Sequence, residues 1–146
     1  DLRPNLLVLL VVAITLLQGV REGVLWGFGG GLLFDLFSPI TPPGTNALCL
    51  VLIALLASLG LAIPLRASLV MPLIMVAIST VFYFVLLMTI RTLLGVPLDW
   101  GAGLIQVALP AAAINAVLLP FFYTLLGWLG DRLQPKLPEE WQPRVQ

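Results

Sequence analysis

Residues 23–48, GVLWGFGGGLLFDLFSPITPPGTNAL, set a single carboxylate, Asp35, in an apolar run laden with glycine. Gly19, Gly23, Gly27, Gly31 and Asp35 recur at every fourth position, and that spacing aligns them as one slowly drifting row along a helix. Small residues in such a row let a second helix approach closely, and in lipid this packing replaces the hydrophobic drive available in water. A helix–helix seam is therefore predicted through Gly23, Gly27 and Gly31. Asp35 extends the row and is expected to face protein, because a charged group facing lipid near a helix centre costs about 3 kcal/mol or more.

The rest of the chain supplies the setting for that seam. Its 146 residues are 60% hydrophobic with a mean hydropathy of +1.11, far above the range of soluble domains. The fold class expected is an all-α integral membrane protein, with a transmembrane domain over residues 1–127 and a cytoplasmic tail over 128–146. Apolar stretches at 4–20, 23–37, 47–65, 67–90 and 101–126 approach the roughly 20 residues a bilayer core requires, which predicts five spans in this chain. The charged pair Arg21-Glu22 is read as closing the first. Pro39, Pro42 and Pro43 break the chain between the second and third, with Gly44 allowing a tight bend. Pro110 and Pro120 predict kinks in the last.

Charge sets the expected orientation. With the C-terminus in the cytoplasm, Arg21, Arg66, Arg132, Lys136 and Arg144 lie inside and only Arg3 and Arg91 lie outside. Five spans would then start the chain outside at Asp1, which an additional upstream span would repair. The expectation is a six-helix bundle in the full protein, with both ends cytoplasmic. Trp26 and Trp128 would mark the inner interface and Trp100 the outer one.

Seven basic and seven acidic residues cancel, so no charge argument points to nucleic acid. The chain has no histidine and one cysteine, Cys49, which removes the usual metal ligands and imidazole bases and allows no internal disulfide. No cofactor, metal or catalytic residue is expected: no nucleophile with a base and no paired carboxylates assemble, and GFGGG lacks the Lys-Ser/Thr ending of a phosphate loop. What remains is a helical module that binds a small molecule between its helices or binds other proteins.

Two arrangements suit Asp35. It can accept hydrogen bonds from backbone N–H groups around Gly44, Thr45 and Asn46, or it can pair with Arg91 or contact a ligand. Asn115, a deep amide in AAAINAVLLP, is expected to bond across helices. Thr15, Ser58, Ser68, Ser79, Thr80 and Thr89 are expected to bond to the preceding turn of their own helices, and Tyr83 and Tyr123 to bury a ring while keeping the hydroxyl satisfied. After residue 127, Trp128, Leu129 and Leu133 against Asp131, Arg132 and Lys136 predict a short interfacial helix, followed by an extended segment with Pro135, Pro138 and Pro143.

Arg3-Pro4-Asn5 stands before an apolar run, Arg21 stands ahead of Gly27-Phe28, Gly31 and Asp35-Leu36, the chain restarts at Gly44-Thr45-Asn46-Ala47-Leu48, and Asn115 is followed by Pro120 in the last span. In these motifs the chain resembles the bacterial rod shape-determining MreD family. In that family the RPN motif opens the second span. The resemblance implies a noncatalytic scaffold subunit of the cell-elongation machinery in the cytoplasmic membrane. It would bind MreC and connect MreB filaments to a RodA-type glycosyltransferase and its class B penicillin-binding partner. The family is similar in architecture to the substrate-binding subunits of energy-coupling-factor vitamin transporters, so a small-molecule binding subunit is the alternative. The proline-rich PITPPGTN and the mixed charge of the tail depart from the family's pattern.

Overall fold

The computed structural model of the protein describes residues 6–38, 42–63 and 69–133. Five continuous helices run through them, with no strand among the described residues. They are α1 (Leu6–Gln18), α2 (Val20–Phe37), α3 (Thr45–Ala62, whose last turn Leu59–Ala62 tightens to a 3-10 helix), α4 (Val70–Leu93) and α5 (Trp100–Leu133). Helices α3, α4 and α5 are each long and apolar enough to cross a membrane. Over the described residues the other two are not: α1 covers 13 residues there, about 20 Å at 1.5 Å per residue, and α2 carries Arg21, Glu22 and Asp35 among its glycines.

The break between α1 and α2 falls at Gly19, not at the charged pair. Gly19 has φ +109°, a conformation that glycine adopts at no steric cost, so the chain turns there. Arg21 and Glu22 then belong to the first turn of α2, where Glu22 complements the exposed N–H groups. Gly19 is thereby removed from the seam its spacing suggested. At the other end of α4, Gly95 (φ +80°) ends the helix in a Schellman turn: Val96 N–H donates to the Arg91 carbonyl and Gly95 N–H to that of Thr92, both at 3.0 Å.

Pro72 lies in the first turn of α4, where its missing N–H has no helical acceptor to lose. Pro110 is accommodated differently. Leu104–Ala108 widen into a π-helical turn just before it, which relieves the clash between the proline ring and the carbonyl four residues back. The helix continues through Pro120 to Leu133 without interruption, so Trp128–Leu133 extend α5 instead of forming a separate interfacial helix. Arg132 stacks on Trp128 at 4.9 Å from the ring centroid. The expected extended segment with Pro135, Pro138 and Pro143 lies outside the described residues, as do Arg3, Ser68 and the RPN motif.

The shortest helix is the most enclosed. Val8, Leu9, Val11, Val12, Ala13, Ile14 and Thr15 of α1 are all buried, and α1 touches each of the other four helices. Helix α1, apolar on every face, is enclosed by the others and is the hub of the bundle. Consecutive helices pack antiparallel: Gly23 meets Thr15, Gly31 meets Ala47, Asn46 meets Tyr83, and Asn115 meets Thr80. One end of the bundle therefore gathers Asp35, Gly44, Arg91 and Asp99. The other gathers Gln18 with Leu129 and Leu133, which line one shallow cleft.

Candidate functional site

Helix α2 buries only four residues, Gly23, Gly27, Gly31 and Asp35, in a single row. A Cβ at Gly31 would lie 2.4 Å from the Ala47 Cα, and one at Gly27 would lie 3.0 Å from the Leu50 carbonyl oxygen, so both glycines press against the α3 backbone. A Cβ at Gly23 would meet Thr15 Oγ1 of α1 at 1.9 Å. The row thus divides between two partners, α1 at its start and α3 beyond.

Close approach of α2 and α3 delivers Asp35 to the first turn of α3. Gly44, in the left-handed region at φ +94°, is the N-cap of α3 and has no side chain with which to cap it. Asp35, only 5% exposed, supplies the missing acceptor from the neighbouring helix. Its Oδ2 accepts from Gly44 N–H at 2.9 Å and from Ala47 N–H at 3.3 Å. Asn46 N–H is shared between the two oxygens at 3.1 Å, and Asn46 Nδ2 donates to Oδ1 at 2.7 Å. Four donors fill the acceptor capacity of one carboxylate, and the partial positive charge at a helix N-terminus favours its negative charge. Thr45, also buried, directs its N–H to the Pro42 carbonyl at 3.2 Å.

The network reaches a third helix. Tyr83 of α4, 2% exposed, donates its hydroxyl to Asn46 Oδ1 at 2.5 Å. Asp35, Asn46 and Tyr83 therefore tie α2, α3 and α4 together. Tyr83 was legible in the sequence as a buried ring with a satisfied hydroxyl, but not as the far end of this chain.

Arg91 stands apart from Asp35. Among the described residues no ion pair joins the two. Arg91 instead lines a cleft of about 240 Å³ with Phe84, Leu87 and Met88 of α4 and with Leu98, Asp99 and Val107, and its Nε is buried without an acceptor. Asp99 engages Oδ1 alone, capping the start of α5 through Ala102 N–H at 3.1 Å.

Asn115 is fully buried in α5 and donates from Nδ2 to Thr80 Oγ1 at 3.1 Å. Thr80 gives its own proton to the Val76 carbonyl at 2.8 Å, so it can only accept from Asn115, which fixes the orientation of the amide. Asn115 Oδ1 and Ser79 Oγ have no partner. Thr15 and Thr89 bond to carbonyls four residues back, and Ser58 to one three back.

Comparison with known proteins finds no matching family model, no matching curated protein and no matching solved structure.

Proposed function

We propose that the chain is a noncatalytic scaffold subunit of the bacterial cell-elongation complex, related to MreD and embedded in the cytoplasmic membrane with its C-terminus in the cytoplasm. In this reading it binds MreC and links MreB filaments to a RodA-type glycosyltransferase and a class B penicillin-binding protein. The observation that carries the proposal is the engagement of Asp35. The carboxylate that stands out in the sequence has its acceptor sites filled by α3, and so works as a brace between helices. A second feature supports the same reading. Because α2 buries only its glycine row, Trp26, Leu33 and Phe37, which share one side of the helix by their spacing, remain at least half exposed, an apolar stripe suited to a transmembrane helix of a partner.

Affinity capture of the detergent-solubilised protein from a rod-shaped host tests this directly. Recovery of MreC and rounding of cells on depletion are expected. Normal shape together with lost vitamin uptake would replace the scaffold by the small-molecule binding subunit.

A further inference from the structure

The Arg91 cleft serves no purpose in the brace just described. A guanidinium carries five donors in a planar fork that matches phosphate and carboxylate oxygens, and burying one of its N–H groups without an acceptor is costly. Here Arg91 Nε is so buried, and among the described residues no carboxylate comes within ion-pair distance of the side chain. The walls beside it are apolar: Phe84, Leu87 and Met88 from α4, and Leu98 and Val107 from the α5 side. Asp99 lies at the exposed mouth of the same cleft, where its Oδ1 alone is engaged by the protein. At about 240 Å³ the space is smaller than the ~300–1,000 Å³ of pockets that enclose a drug-sized ligand. It suits a headgroup whose apolar remainder lies outside, and Leu93 and Leu94 at the C-terminal end of α4 and Ile105 in the first turns of α5 are exposed apolar residues at the same end of the bundle.

We infer that this cleft binds the headgroup of a zwitterionic phospholipid, with the phosphodiester on Arg91 and a primary ammonium on Asp99. The two charges do not pair with each other, and a ligand carrying both complementary charges satisfies both at once. The inference needs the chain to lie in a bilayer, but it is independent of any protein partner.

The test uses the full chain purified in mild detergent and reconstituted with defined lipids, and retained lipid is measured by native mass spectrometry. Wild-type protein should retain phosphatidylethanolamine in preference to phosphatidylglycerol. Arg91→Met should lower retention about tenfold, the loss expected for one charge-assisted contact, with partial recovery in Arg91→Lys. Asp99→Asn should still hold lipid but lose the preference for the amine-bearing headgroup. Millimolar inorganic phosphate should not displace the lipid; displacement would identify a soluble phosphate compound as the occupant and overturn the lipid assignment. Should Arg91→Met fail to fold, Val107→Trp fills the cleft without touching its charges and should also expel lipid. Undiminished retention in Val107→Trp, or in a folded Arg91→Met, would refute the site.

Discussion

At the scale of single residues, Asp35 and Arg91 share one end of the bundle and do different work. Replacing Asp35 by Asn keeps the shape but removes the charge that favours four donors and the α3 N-terminus, so a loss of about 2 kcal/mol is expected. Tyr83→Phe removes one link of the same chain and should cost about 1 kcal/mol. Since Asp35 and Arg91 make no contact, Asp35→Asn and Arg91→Ala should add to within about 0.5 kcal/mol. Reversible unfolding in mixed micelles reads all three, and a coupling above 1 kcal/mol would restore an ion pair between them. The brace was half legible in the sequence. A carboxylate ending a glycine row and a Gly-Thr-Asn restart nine residues on are local patterns with a local solution. Tyr83 lies 37 residues from Asn46 on a helix apolar around most of its circumference, where no period marks the face that turns inward.

At the scale of elements, the glycine row separates positions that resemble each other in sequence. Gly29 and Gly31 both sit in the run GFGGG, yet a Cβ at Gly29 meets nothing within 4 Å while one at Gly31 strikes the α3 backbone. Gly29→Ala should therefore be neutral or stabilising by up to ~1 kcal/mol through helix propensity, whereas Gly31→Ala must push two backbones apart and should cost ~3 kcal/mol. Equal effects at the two positions, measured by thermal unfolding in detergent, would remove the seam. Gly23→Ala gives a finer test: its main clash is with a side-chain oxygen, so Thr15→Ala in the same chain should recover part of the loss. The four-residue period shows the seam but not where it starts, because a glycine suits a close helix contact and a left-handed turn equally well. At Gly19 the turn prevails, and the helix boundary moves away from Arg21. The π turn before Pro110 is illegible for a related reason. The sequence marks a donor that must be missing, not the manner in which the helix yields.

At the scale of the whole molecule, the antiparallel packing makes the charge distribution testable. Arg21 and Arg132 lie toward the end that gathers Gln18 and Leu133, while Arg91 and Asp99 lie at the Asp35 end. The excess of basic residues toward the first end assigns it to the cytoplasm in the proposed orientation. Cys49 is completely buried, and a buried thiol without an activating neighbour is inert toward water-soluble reagents, so the native chain gives a low background. Val96, exposed between α4 and α5, and Asp131, exposed in the last turn of α5, report the two ends. In intact cells, Val96→Cys should react with a membrane-impermeant maleimide and Asp131→Cys should react only after permeabilisation. The reverse pattern would place Asp35 and the Arg91 cleft on the cytoplasmic side. Labelling of both sites from outside would mean that α5 does not cross the membrane, and the bilayer setting of the proposed function would fail with it.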